Sequence, residues 1–152
     1  MNKVTYRKIV RASAIYDVLT TFAFAFPILV VLNLNTISNI HTQFSFSGSI
    51  PEFLPLHLFF VNLMGSLVLV WSALRILKPE PLFGLYDSFA RFLFSFNMFF
   101  YLLAYDVTGL LWLFFIPELS WGLLQFFGYF SLKDKVKVTN FDVLQDDKLR
   151  SV

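Results

Sequence analysis

The chain contains no cysteine. That absence excludes a disulfide scaffold, a thiol redox centre and a thiolate metal site. Charge is scarce as well: Asp, Glu, Lys and Arg make up 14% of the 152 residues, against 57% hydrophobic and 20% aromatic. A water-soluble domain of this size does not carry that balance. The 21 phenylalanines exceed what one small core can hide, so lipid is the expected solvent for most of them. The formal net charge of +2 is too small to point to nucleic acid, and no nucleic-acid partner is expected. Catalytic patterns are missing too. There is no Gly-rich phosphate loop, no Ser/His/Asp or Cys/His set placed for nucleophilic attack, and no H-E-x-x-H. No catalytic residue and no cofactor is assigned. His41 and His57 can be drawn with Glu52 or Glu118, but their spacing matches no metal-ligand pattern, so no metal site is assigned either.

What is present is long apolar runs. A span needs about 20 predominantly apolar residues to cross about 30 Å of hydrocarbon, and four such runs are expected near 13–34, 56–77, 84–105 and 109–131. The first follows the basic segment Met1–Ala12 without an A-x-A-like cleavage site beyond it, which reads as a retained helix rather than a signal peptide. That segment, with Val4, Tyr6, Ile9 and Val10 among its cations, reads as an amphipathic stretch able to rest on an anionic inner leaflet. The polar stretch 35–55 reads as an outer loop, and Lys78-Pro79-Glu80-Pro81 and 105–109 as short turns. The fold class expected is therefore an all-α integral membrane protein, a four-transmembrane-helix bundle over 1–131. A charged cytoplasmic tail over 132–152 follows it.

The cations orient it. Lys3, Arg7, Lys8, Arg11, Arg75, Lys78, Arg91, Lys133, Lys135, Lys137, Lys148 and Arg150 all fall on one side of the four-span layout, and the two outer segments hold none. The positive-inside bias then places both termini in the cytoplasm, as a multi-pass protein of a bacterial inner membrane.

The chain also aligns with itself. Shifted by 70 residues, Ile15-Tyr16-Asp17 lies over Leu85-Tyr86-Asp87, and Phe22, Phe24 and Phe26 lie over Phe92, Phe94 and Phe96. Shifted by 50, Trp71-Ser72-Ala73-Leu74-Arg75 lies over Trp121-Gly122-Leu123-Leu124-Gln125. Two parallel-repeated helical hairpins are expected from this register, related by an axis along the membrane normal.

Polar residues inside apolar spans are costly and are therefore the candidate sites. Asp17, Asp87, Arg75 and Arg91 lie near the cytoplasmic ends, where Asp87 and Arg91 are one helical turn apart and Arg75 can reach either aspartate. They read as a salt-bridge ring, or as an inner gate or ligand anchor. Asn62, Asn97 and Glu118 fall at similar depths on the outer side, and Pro117 beside Glu118 removes a helix donor. They read as a polar pocket for a ligand or a proton, or as interhelical glue. The functional expectation is a small non-enzymatic membrane protein that binds an apolar ligand or lipid or serves as an accessory subunit of a membrane complex. Its partners are the bilayer and a membrane protein or further copies of itself. One alternative is a proton-coupled transporter working as an oligomer, with Glu118 as its embedded acid. In having four spans around one embedded Glu the layout is similar to small multidrug transporters, which carry theirs in the first span rather than the fourth. No residue role transfers. Another alternative is a lipid-modifying enzyme using Glu118 and His57 as acid and base.

Overall fold

The structure is a computed structural model that describes residues 1–132 in full and the backbone of the last helix on to Arg150. Side chains of the expected tail lie outside the described residues. Five α-helices are present: α1 Lys3–Thr21, α2 Pro27–Gln43, α3 Pro55–Leu77, α4 Pro81–Ala104 and α5 Trp112–Arg150. Among the described residues the only β pairing is one bridge between Ser49 and Val107. By length and composition α3 and the segment Gly109–Leu132 can each cross a membrane. A third crossing exists if Lys3–Ala25 and Pro27–Gln43 form one broken span.

That break is the main departure from the expected layout. The run 13–34, expected as one helix, bends by 106° between Ala25 and Pro27. Proline has no N–H and its ring clashes with the preceding turn, so α1 ends in a 3-10 turn, Phe22–Ala25, and Phe26 is extended at φ −122°, ψ 129°. Pro27 then opens α2 at a position where its missing donor costs nothing. The expected loop 35–55 is correspondingly shorter, because α2 continues through Asn35 to Gln43.

A break in an apolar setting leaves carbonyls that water cannot satisfy. Asn62 on α3 answers one of them, its Nδ2 donating to the Phe24 carbonyl at 2.9 Å. Gly65, one turn further along α3, allows the approach: a Cβ there would stand 2.5 Å from the Phe24 carbonyl carbon and 2.6 Å from the Ala25 nitrogen. The bend, the amide and the glycine form one device.

α1 packs on α3, and α4 on α5. The α4–α5 seam is aromatic, with Phe92 and Phe89 meeting Phe126 edge-on at 5.6 and 6.0 Å and Phe99 stacking on Phe115 at 5.7 Å. The basic N-terminal segment is part of α1 and part of the bundle, since Tyr6 and Val10 are fully buried. The Tyr6 hydroxyl donates to the Gln125 carbonyl at 2.9 Å. Arg7 meets the exposed Glu80 at 2.6 Å, a hydrogen bond that holds the carboxyl below its usual range. At the opposite end backbone contacts tie the loops together: Ser49 N–H donates to the Asp106 carbonyl at 3.0 Å and Gly109 N–H to the Ser47 carbonyl at 2.8 Å. Gly48 turns there at φ +77°, with the Val107 backbone where a side chain would stand.

The interior is the reverse of a soluble core. Its buried apolar residues are Tyr6, Val10, Ala14, Val30 and Leu110, outnumbered by buried Ser13, Asp17, Ser72, Arg75, Asp87, Ser88, Arg91, Ser95 and Gln125. α4 shows the inversion along one helix. Asp87, Ser88, Arg91 and Ser95 are buried, while Leu82, Tyr86, Phe89, Leu93, Phe96, Phe100 and Leu103 are exposed. Spacings of three and four residues place each set on one face.

Candidate functional site: a charged layer beneath an apolar cavity

Four helices send charged side chains into one layer. Arg75, near the end of α3, donates from Nη1 to Asp87 at 2.5 Å, from Nη2 to Asp17, and to the hydroxyls of Ser13 and Ser72 at 3.3 and 3.2 Å. Arg91 on α4 donates from Nε to Asp87 at 2.9 Å and from Nη2 to both oxygens of Asp17 at 2.7 Å. Its Nη1 donates to Oε2 of Glu118 on α5. Trp71 Nε1 reaches the remaining Asp87 oxygen at 2.9 Å, and the Arg75 guanidinium lies 5.5 Å from the Trp71 ring centroid. Gln125 closes the layer from below by donating to Ser13 Oγ.

Each arginine bridges Asp17 and Asp87, and neither aspartate is left with one partner. A buried ion lacking its partner costs about 3–5 kcal/mol, so the layer holds together as a unit or not at all. Both guanidiniums present several N–H donors in a fixed plane, which lysine cannot do.

Above the layer is a cavity of about 700 Å³. Asp17, Asp87, Arg91 and Glu118 form its charged floor, and Tyr16, Phe24, Leu67, Trp71, Phe94 and Phe114 are among its walls. That volume falls in the range of about 300–1,000 Å³ typical of small-molecule sites. The two sides of the helix break contribute Thr20 and Thr21 from the end of α1 and Ile37 from α2.

The two residue groups expected from the sequence are redistributed. Asp17, Asp87, Arg75 and Arg91 converge, and Glu118 joins them rather than the asparagines. Asn62 serves the Phe24 carbonyl, and Asn97 is exposed, bonded to the Leu93 carbonyl of its own helix at 2.8 Å. Neither lines the cavity. Pro117 stands inside α5, which continues through it. His57 receives the Leu54 N–H at the start of α3 and is likewise not a cavity residue. His41, in the last turn of α2, meets Thr108 at 2.7 Å. Among the described residues no group of three His, Cys, Asp or Glu is placed to hold a metal ion.

Ser13, Ser72, Trp71 and Gln125 entered the layer unannounced. Their signal was present: Ser13 and Asp17, Ser72 and Arg75, and Glu118, Gly122 and Gln125 are spaced by three or four within apolar helices.

Compared with protein-family models, with curated proteins and with solved structures, the chain finds no counterpart in any of the three. Its function is therefore argued from the site alone.

Proposed function

We propose that the chain is a non-enzymatic, four-span membrane bundle that binds a small apolar ligand or lipid in its central cavity, alone or as an accessory subunit of a membrane complex. The observation that carries the binding reading is the cavity itself, about 700 Å³ with aromatic walls and a charged floor. Two observations support the membrane layout. One is the inverted burial, polar residues inside and large apolar ones outside, which is favourable only where the surrounding solvent is apolar. The other is α4, whose 24 residues make about 36 Å of helix, enough for a fourth crossing. The one-sided placement of the cations supports inside termini and a bacterial inner membrane. Two features support a parallel repeat: the pairing of α1 with α3 and of α4 with α5, and the shared partners of the register-matched Asp17 and Asp87.

Filling the cavity tests the reading. Ala90 lines it, so Ala90→Trp is expected to abolish retention of small molecules found by mass spectrometry after purification into nanodiscs, with elution unchanged. Equal retention in both forms, or none in wild type, would contradict it. A second reading, proton-coupled transport by an oligomer, draws support from Glu118 being both a cavity residue and an ion-pair partner of Arg91. Glu118→Gln retaining full proton-driven uptake in vesicles would exclude it.

A further inference from the structure

The floor of the cavity is not electrically balanced. Asp17 and Asp87 are matched by Arg75 and Arg91, each arginine touching both aspartates. Glu118 is a third carboxylate and shares Arg91 with the other two. Arg75 belongs to the layer but does not line the cavity, so the cavity itself meets three carboxylates and one guanidinium.

Hydrogen bonding singles out the same residue. Both oxygens of Asp17 accept from Arg91, and the oxygens of Asp87 accept from Trp71 and from the two arginines. Glu118 Oε2 accepts from Arg91. Among the described residues nothing donates to Glu118 Oε1, and its residue borders the cavity. An acceptor open to an apolar space, in a layer with one carboxylate in excess, calls for a ligand that brings both a donor and a positive charge.

Resting on the proposed ligand-binding role, we propose that the cavity takes an apolar molecule carrying a single protonated amine, whose N–H donates to the free oxygen of Glu118. The walls suit the rest of such a molecule. Tyr16, Trp71, Phe94 and Phe114 line the same cavity as the acid, and aromatic rings are the usual surroundings of an organic cation. The methionines Met64 and Met98 adapt to an apolar body of varied shape. An anionic amphiphile is disfavoured, because Nε, Nη1 and Nη2 of Arg91 already donate to Asp87, Glu118 and Asp17. Among the described residues the cavity has no cation left to receive a phosphate or a fatty-acid carboxylate.

The test uses the full chain in nanodiscs of zwitterionic phosphatidylcholine, with empty discs as the reference for partition into lipid. Binding of dodecylamine, dodecanol and dodecanoate at neutral pH is followed by quenching of tryptophan fluorescence, Trp71 being a cavity residue. At that pH an alkylamine is protonated, as lysine is. The amine is expected to bind at least about ten-fold tighter than the alcohol, and dodecanoate weaker than both. Glu118→Gln is expected to bring the amine down to the alcohol's affinity and leave the alcohol unchanged. Equal binding of amine and alcohol to wild type overturns the amine assignment and leaves the apolar cavity standing. A Glu118→Gln protein that keeps the amine preference does the same. Binding of none of the three overturns both readings. The wild-type ratio decides the matter even if the variant does not fold.

Discussion

The two ends of the bundle are held by different means. At one end, side chains do the joining: two arginines and three carboxylates from α1, α3, α4 and α5 interlock in one buried layer. At the other end, loops meet loops through backbone bonds, Ser49 to Asp106 and Gly109 to Ser47, and His41 in the last turn of α2 meets Thr108 beside them. The layer is cooperative, because each member is another member's counter-charge. The loops are not. The difference teaches that a bundle with an apolar exterior, lacking a hydrophobic drive between its helices in lipid, gains its specificity from polar contacts where helices cross. Short connections then close the open end.

The contrast sets an order for substitutions. Arg91→Met strands Asp17, Asp87 and Glu118 near one remaining guanidinium, and a loss of about 3–5 kcal/mol is expected in thermal or denaturant unfolding from micelles. A loss below about 1 kcal/mol would mean that the layer is not cooperative. Gly65→Ala tests the joint between the halves. Its methyl would meet the backbone of Phe24 and Ala25, so a loss of about 1–3 kcal/mol is expected, as for overpacking elsewhere. Thr108→Val removes two hydrogen bonds from the loop end, one with His41 and one from the Leu110 N–H, and the expected loss is about 1–2 kcal/mol. A loop-end variant as damaging as Arg91→Met would erase the comparison.

The smallest effect belongs to Glu80. Its carboxyl is held below the usual range by Arg7, so its contribution is present above the ordinary glutamate pKa and is lost as pH falls through that region. The residue is fully exposed, and Glu80→Gln is expected to lower the melting temperature marginally at pH 7 and not at pH 3. A difference that grew toward acid pH would contradict the sign.

Much of this arrangement was legible in the sequence, and the failures have physical causes. The inward face of α4 could be read because Asp87 and Arg91 are four apart among phenylalanines. The convergence of Asp17, Arg75, Asp87 and Arg91 followed from their shared position near helix ends. Depth along the backbone groups Glu118 with Asn62 and Asn97, whereas the long Arg91 side chain bridges the gap to it. Asn62 and Asn97 looked equivalent by depth, yet only Asn62 faces a carbonyl freed by a helix break. That break was marked by Pro27, but apolar residues on both sides let the run read as continuous. The residues after Asn35 are polar and looked like loop, and α2 nonetheless carries them to Gln43.

The central claim is that α4 turns charge inward and aromatic surface to lipid. A nitroxide scan over 86–103 tests it directly, and the absence of cysteine allows each label to be placed singly. Oxygen collision rates should peak at Tyr86, Phe89, Leu93, Phe96, Phe100 and Leu103 and fall at Ser88 and Ser95, while a water-soluble relaxant reaches neither set. Peaks for the water-soluble relaxant along the aromatic face would contradict the account.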